Sequence, residues 1–263
     1  MRYYFICNWK MYPSSIDRAR SILSDYNKLF TPTKKEDWIN KKIVICPPAP
    51  FFQLFDEKRL HTIKLGSQNI FWKSAGNYTG QISARMAKDF GAEYVIIGHS
   101  ELRSNGDSDL IINLKIKEAL KYYITPIVCV GYKDFLRETL NILNSFSAEE
   151  VGKMILAYEP LEAIGSNNPE DPLKVEKAIR QIKKLIYQRF RKKFFVRVFG
   201  LGGNKRSIPK PAILYGGSVN AQNYKNYISI SDLGGFIIGR ESLNPANIKE
   251  IALGFDVGGK INN

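Results

Sequence analysis

The chain has 263 residues, of which 44% are hydrophobic, 24% charged and 12% aromatic. This composition is typical of a globular protein and excludes a disordered chain. No stretch approaches the ~18 uninterrupted apolar residues that a membrane span requires, and the first residues lack the apolar run of a secretory signal. We therefore expect a cytoplasmic protein that has no membrane partner.

The net charge of +14 is the one unusual bulk property, with 39 lysines and arginines against 25 aspartates and glutamates. A basic excess is typical of proteins that bind nucleic acid, but it also suits phosphorylated substrates. The basic residues are scattered over the polar faces of predicted helices, and the sequence contains no recognised nucleic-acid motif. We predict no nucleic-acid partner, and a basic nucleic-acid-binding protein is kept as an alternative.

The three cysteines, Cys7, Cys46 and Cys129, each end or adjoin an apolar run. Their number is odd, and no Cys/His spacing suggests a zinc site. We predict buried free thiols in a reducing compartment, and no metal.

Short runs rich in valine, isoleucine and leucine recur along the chain, and each is followed by a turn residue. Because they are nearly continuous rather than alternating, they predict strands that are buried on both faces. The eight predicted strands are Tyr3–Cys7, Ile43–Cys46, Ile63–Ser67, Tyr94–Ile97, Thr125–Val130, Met154–Tyr158, Ala212–Leu214 and Phe236–Ile238.

Helical periodicity separates these strands. Three helices are the clearest. The first follows Ser14 and Asp17, which are spaced as a capping box, and the second follows Ser108 as its N-cap. The third follows Pro172, a residue that suits the start of a helix. Weaker patterns predict helices at Ala84–Phe90, Phe135–Leu143, Ala221–Tyr227 and Ala246–Leu253, with a short helical turn at Phe51–Phe55. Strand and helix alternate from end to end, which predicts an α/β fold of the closed (β/α)8 barrel type. A doubly wound sheet is less favoured, because no glycine fingerprint follows the first strand.

The predicted barrel forms a single domain over residues 1–263. One irregular stretch, Phe194–Pro211, contains Gly200, Gly202 and Gly203 and is rich in basic residues. It predicts a basic loop inserted before the seventh strand. Its glycines lack the GxGxxG spacing of a dinucleotide site, so no such cofactor is predicted.

Polar residues cluster where the predicted strands end, which is where active sites of such barrels lie. Asn8 and Lys10 follow strand one, His99 follows strand four, and Glu159 follows strand six. Gly216-Gly217-Ser218 follows strand seven, and Gly239-Arg240 follows strand eight. A lysine, a histidine and a glutamate thus face one opening. Exposed amides in the two glycine-rich turns beside them predict an anion site, most naturally for phosphate.

Four segments resemble the signature segments of the triosephosphate isomerase family in order and spacing. They are Asn8-Trp9-Lys10-Met11, Gly98-His99-Ser100-Glu101, Tyr158-Glu159-Pro160 with Ala163-Ile164-Gly165, and Tyr215-Gly216-Gly217-Ser218-Val219. Gly80-Gln81-Ile82-Ser83 after Thr79 resembles the family's third loop, and Cys129-Val130-Gly131 resembles its fifth strand end. The resemblance covers essentially the whole chain.

This resemblance implies the interconversion of dihydroxyacetone phosphate and D-glyceraldehyde 3-phosphate through an enediolate, without metal or organic cofactor. It implies that Glu159 is the base, that neutral His99 moves protons between the two oxygens, and that Lys10 supplies positive charge. The family is itself an established example of such paired acid–base tuning.

The resemblance also implies the residues that bind and support the substrate. Asn8 would help hold the enediolate oxygen, and Gly165, Ser218, Gly239 and Arg240 would bind phosphate, chiefly through backbone N–H groups. Pro160–Asn168 would form a closing lid. The supporting residues would be Glu101, which pairs with Lys10, together with Ser100, Tyr215, Cys129 and Thr79, the last beside Lys10 of a neighbour in a homodimer.

Four residues depart from the family pattern: Glu162 on the lid, Tyr132 after the fifth strand, and Asn167 and Arg240 at positions that are usually glycine. We predict that the Tyr132 hydroxyl donates to Glu162 when the lid closes; the alternative is a solvated Glu162. Arg240 either adopts a costly left-handed backbone or adds a guanidinium contact to phosphate. A catalytically weak family member that acts as a binding scaffold is the remaining alternative.

Overall fold

The computed structural model describes residues 2–31, 38–56, 62–198 and 208–258. Within these ranges, eight parallel strands pair in sequence order and close into a barrel, β8 pairing with β1. The strands are β1 Tyr3–Asn8, β2 Lys41–Cys46, β3 Ile63–Ser67, β4 Tyr94–Ile97, β5 Thr125–Val130, β6 Ile155–Tyr158, β7 Ala212–Tyr215 and β8 Gly235–Ile238. The predicted (β/α)8 barrel is confirmed.

Helices follow the strands and cover the outside of the barrel. In the described ranges they are α1 Ile16–Phe30, α2 Gln53–Asp56, α3 Ala84–Asp89, α4 Ser100–Ser104, α5 Asp109–Lys121, α6 Phe135–Ser145, α7 Ala148–Gly152, α8 Pro172–Val198 and α9 Pro245–Gly258. Short 3-10 turns lie at Ala49–Phe51, Leu161–Ala163, Tyr224–Asn226 and Arg240–Leu243. Of these helices, none combines the length and apolarity that crossing a bilayer demands.

The strands are buried on both faces, as their continuous apolar runs predict. Their inward side chains fill the barrel with a cluster of Ile6, Val44, Cys46, Ile96, Ile127, Cys129, Ile155, Ala157, Leu214 and Ile237. Their outward side chains pack against the helices in a second, larger cluster that includes Phe5, Ile45, Ile97 and Phe236. All three cysteines are buried and free, as predicted. The strands are therefore packed between two layers of apolar side chains, one inside the barrel and one under the helices.

Local hydrogen bonds decide where the predicted helices begin. Ser108 caps α5 as predicted, its hydroxyl accepting from the Ile111 N–H. The predicted cap at Ser14 is wrong by one residue, because the Ser15 hydroxyl accepts from the Arg18 N–H at 3.2 Å. A single serine hydroxyl that reaches the third helical N–H suffices to set the start.

Two longer predictions also need correction. The predicted helix Ala221–Tyr227 is only the 3-10 turn Tyr224–Asn226, because the side chains of Asn220 and Asn223 accept backbone N–H groups and compete with helix formation. The predicted loop Phe194–Pro211 begins too early, since α8 continues to Val198 and no glycine or proline interrupts the chain between residues 173 and 198. Residues 199–207 of that stretch lie outside the described residues.

Candidate active site

A small cavity of about 120 Å³ opens at the carboxyl ends of the strands. Every residue predicted from the sequence to contact a substrate lines it: Asn8, Lys10, His99, Glu159, Gly165, Ser218, Gly239 and Arg240. They come from strand ends that are far apart in sequence. The closed barrel brings these ends to one rim, so the geometry follows from the topology.

A larger cavity of about 790 Å³ lies at the opposite, amino-terminal end of the strands. Tyr4, Tyr94, Lys183 and Asp232 are among its lining residues, and none of the predicted site residues is. Size alone would favour it as a ligand site. The convergence of buried acid, base and cation makes the smaller cavity the better candidate for chemistry.

Lys10 has a strained backbone that polar neighbours hold in place. Its φ is 50°, in the left-handed region that side chains rarely adopt. Asn8 Oδ1 accepts from the Lys10 N–H at 3.0 Å, and Gln68 Nε2 donates to the Lys10 carbonyl at 2.8 Å. Asn8 itself lines the cavity. This strain turns the lysine side chain from the strand end toward the opening.

One ion pair, with Glu101, aims the Lys10 ammonium group. Its Nζ donates to Glu101 Oε1 at 2.7 Å, and the other Glu101 oxygen lies 3.6 Å from His99 Nδ1. The Glu101 side chain is 55% exposed, so its pairing with Lys10 contributes little to stability and mainly sets direction.

Hydrogen bonding distinguishes the two ring nitrogens of His99. It precedes α4, and its Nδ1 accepts the Glu101 backbone N–H at 3.2 Å. This geometry leaves Nε2 as the nitrogen that can donate to a ligand. Nε2 is the nitrogen that faces Glu159, with Oε1 at 3.8 Å.

Glu159 carries a buried carboxylate with an unsatisfied oxygen. The residue is 5% exposed, and Oε2 finds no hydrogen-bond partner within the described parts of the chain. A buried acceptor without a partner is costly, which is typical of a group that awaits a ligand. Glu159 is one of the residues that line the cavity, where a proton acceptor would be needed.

The surroundings of Glu159 leave it little room. A Cβ added at Gly216 would lie 2.8 Å from Glu159 Oε1 and 2.4 Å from a methyl of Ile237, so only glycine fits there. Behind the carboxylate, burial and then the charge of Glu159 raise the pKa of the Cys129 thiol well above its usual value. Cys129 therefore stays a neutral thiol that packs and positions the glutamate.

The lid contacts the anion-binding turn directly. Ser218, itself at φ 51°, donates its hydroxyl to the Ala163 carbonyl at 2.7 Å. The Tyr215 hydroxyl donates to the Gly217 carbonyl at 3.0 Å and accepts the Glu170 N–H at 2.8 Å. These bonds join Ala163, within the predicted lid, and Glu170, just beyond it, to β7 and the turn that follows it.

The departures at Asn167 and Arg240 take different forms. Asn167 adopts φ 57°, a conformation that asparagine tolerates well. Arg240 is absent from the positive-φ residues of the described chain and begins a 3-10 turn, which excludes the left-handed alternative. Its guanidinium lies 5.2 Å from the centre of the Tyr12 ring, at the edge of the cavity. The side chain is thus free to meet an anion.

The structure does not pair Tyr132 with Glu162. The Tyr132 hydroxyl instead accepts from Ser104 at 3.3 Å, and Glu162 is exposed. The predicted latch is not formed in this conformation, because Tyr132 turns toward α4. Of the other supporting residues, Ser100 is buried beside His99, whereas Thr79 is exposed in the loop after β3.

Sequence reasoning missed three residues that hold the site together. Gln68 secures Lys10 and also donates to the Cys46 carbonyl at 2.9 Å. Arg103 donates to the Gly98 carbonyl at 3.0 Å, and the buried Glu138 accepts the Gly131 N–H at 2.8 Å. Gln68 follows β3 directly, so the strand-end rule could have found it. The other two lie on helices and carry no such signal.

No group of three or more potential metal-ligating side chains clusters anywhere in the described ranges. The site instead combines a buried carboxylate, an imidazole, an ammonium group and two glycine-rich turns. A (β/α)8 barrel with this constellation defines an enzyme that can move protons on a small anionic substrate.

Comparison with known proteins identifies the family. A family model described as triosephosphate isomerase matches residues 3–254. The chain is 37% identical to the triosephosphate isomerase of Dictyoglomus turgidum, over 93% of this chain and 96% of the relative. It is 32% identical to the triosephosphate isomerase of Aquifex aeolicus, over 97% of this chain and 100% of the relative. It is also 32% identical to that of Trichodesmium erythraeum, over 93% of this chain and 95% of the relative. The chain belongs to the triosephosphate isomerase family.

Proposed function

We propose that this chain interconverts dihydroxyacetone phosphate and D-glyceraldehyde 3-phosphate, as a triosephosphate isomerase of glycolysis and gluconeogenesis. The observation that carries the proposal is the buried Glu159 carboxylate, whose Oε1 lies 3.8 Å from His99 Nε2 and whose Oε2 has no partner among the described residues. We place the enzyme in the cytoplasm, which suits its three buried free thiols.

The Glu159 carboxylate is the general base. It takes a proton from the carbon next to the substrate carbonyl and returns it to the neighbouring carbon. Its orphan oxygen is the acceptor, and the tight packing at Gly216 limits its movement. Placement and desolvation together make a weak base effective in this step.

His99 and Lys10 act on the oxygens. The Nε2 proton of His99 polarises the carbonyl and moves between the two oxygens as the enediolate forms and collapses. Lys10 offers a fixed positive charge to the enediolate, and the Asn8 NH2 group donates to one oxygen. Groups already aligned for developing charge need no reorganisation at the moment of reaction.

The phosphate lies against Gly165, Ser218, Gly239 and Arg240 at the edge of the same cavity. The lid covers it and excludes water, which would otherwise compete for the charged intermediate. The decisive experiment is turnover of D-glyceraldehyde 3-phosphate by the purified protein in a coupled assay. Efficient turnover supports the proposal, whereas binding without turnover would favour the scaffold alternative.

Arg240 gives a specific expectation for the phosphate site. Sulfate should inhibit competitively, and Arg240→Gly should raise KM for the triose phosphate severalfold with kcat nearly unchanged, because a peripheral charge-assisted contact is removed. Steady-state kinetics at fixed ionic strength measure both effects. Lys225→Gly, which removes a cation stacked on Tyr224 outside the lining of this cavity, is the control. An unchanged KM in Arg240→Gly would mean that the Arg240 side chain does not contact the phosphate and that only its backbone can do so.

We also propose that the enzyme works as a homodimer in which Thr79 of one subunit lies beside Lys10 of the other. Met11, next to Lys10, is 92% exposed, and Tyr78, next to Thr79, is 39% exposed. Two apolar side chains on loops beside the active site suit an interface rather than open solvent.

Light scattering should therefore give twice the chain mass of 30.0 kDa. Met11→Glu should shift the protein toward monomers and lower its activity in parallel, because a charge would be buried in the interface. Leu173→Glu places the same charge at another exposed apolar side chain, 73% exposed at the start of α8, and should change neither the oligomeric state nor the activity. A fully active monomeric wild type would refute the proposal.

A further inference from the structure

Glu170, where the lid meets α8, has both of its backbone polar groups bound by tyrosine hydroxyls. Its N–H donates to the Tyr215 hydroxyl at 2.8 Å, and its carbonyl accepts from the Tyr227 hydroxyl at 2.6 Å. Tyr215 is part of the strand-end motif, but Tyr227 lies in the separate segment that connects β7 to β8. The second tyrosine is not required by the anion-binding turn.

The setting of Tyr227 makes its hydroxyl an effective anchor. The residue is 1% exposed, and its ring lies 4.9 Å from that of Tyr215 between ring centres. Burial raises the pKa of the Tyr227 hydroxyl, although the neighbouring Tyr215 hydroxyl opposes the shift. The phenol therefore remains a protonated donor that water does not reach.

The chain beyond Glu170 is equally constrained. Asp171 precedes α8, and its side chain accepts the Leu173 N–H at 2.8 Å while its carbonyl accepts the Val175 N–H at 3.0 Å. Lys174 Nζ lies 3.2 Å from Glu170 Oε1. Hydrogen bonds and an ion pair thus hold residues 170 and 171 to the first turn of α8.

We propose that Tyr227 is a positioning residue that fixes the carboxyl-terminal hinge of the lid at Glu170. The hydrogen bonds run from Tyr227 to the Glu170 carbonyl, and from the Glu170 N–H through Tyr215 to the Gly217 carbonyl. They tie the end of the lid to the anion-binding turn. The lid then closes about a defined point and places Gly165 over the phosphate. This inference rests on the proposed isomerase function.

The test removes one hydroxyl. In Tyr227→Phe the ring stays and the Glu170 carbonyl loses its donor, so closure becomes less well defined. We expect kcat/KM to fall about tenfold, since a buried acceptor left without its donor costs more than the hydrogen bond itself. The ratio of phosphate elimination to isomerisation should rise, because a poorly closed lid exposes the enediolate phosphate to water.

Tyr224→Phe is a matched control. Tyr224 begins the 3-10 turn that Tyr227 directly follows and is 4% exposed, but its hydroxyl makes no hydrogen bond to any described residue. Its variant should keep both the rate and the product ratio of the wild type. Thermal unfolding of both variants separates a loss of stability from a loss of positioning.

The product ratio distinguishes the outcomes. A higher elimination ratio in Tyr227→Phe alone supports the inference, and non-additivity with Tyr215→Phe would place both hydroxyls in one unit. A Tyr227→Phe enzyme with the wild-type rate and ratio would overturn it, as would a lowered melting temperature with an unchanged ratio. Absence of isomerase activity in the wild type would instead refute the proposed function.

Discussion

Replacing Glu159 by glutamine should lower kcat by several powers of ten. The substitution keeps size and polarity but removes the proton acceptor, a buried carboxylate whose Oε2 has no hydrogen-bond partner in the described chain. Acid–base catalysis alone is usually worth ~10²–10⁴-fold. We expect a larger effect, because base strength and placement are lost together. Substrate binding, measured as KM, should change far less.

Glu250→Gln is the matched control for this experiment. It makes the same chemical change on α9, at an exposed position outside the lining of the cavity. Its kcat should stay within a few fold of the wild type. If Glu159→Gln retained more than a tenth of wild-type activity in the coupled assay, Glu159 would not be the base.

Replacing Lys10 by methionine should be the next most damaging change. Methionine keeps the length of the side chain but removes the charge that faces the enediolate. Removing one preorganised stabilising donor from an active site typically costs ~10²–10³-fold, and a full charge in a small enclosed cavity should cost at least that much. Both kcat and kcat/KM should fall, because the charge develops only as the reaction proceeds.

Lys153→Met provides the comparison. Lys153 is also paired with a glutamate, Glu149 at 3.0 Å, but lies beside the cavity at the far end of the barrel. Steady-state kinetics should show no loss for this variant. A rise in KM with unchanged kcat in Lys10→Met would mean that Lys10 binds substrate and transition state equally, contrary to the proposed role.

The barrel and the cavity lining were predictable because both follow from local pattern. Continuous apolar runs such as Thr125–Val130 give buried strands, and the residue after each strand falls on one rim. Asn8, His99 and Glu159 could therefore be placed from their positions alone.

The support of the site was not predictable, because it depends on contacts between residues far apart in sequence. Tyr227 reaches Glu170 across 57 residues, and Gln68 reaches Lys10 across 58. Nothing in the periodicity of either segment marks the partner. The length of α8 is hard to predict for a local reason: Phe194–Val198 is basic and rich in phenylalanine and valine, which favour helix weakly, yet the helix continues through it.

At Lys10 the left-handed backbone lowers stability, whereas the proposed activity requires the lysine side chain. Stability and activity therefore favour different residues at this position. A non-glycine residue held there costs about 1–3 kcal/mol, offset by hydrogen bonds from neighbours such as Gln68. Glycine would relieve that strain, so a search for more heat-resistant variants that ignored turnover would favour Lys10→Gly. Only selection for catalysis keeps lysine in this conformation. Engineering of this barrel for stability should therefore leave Lys10 untouched and look to the helices.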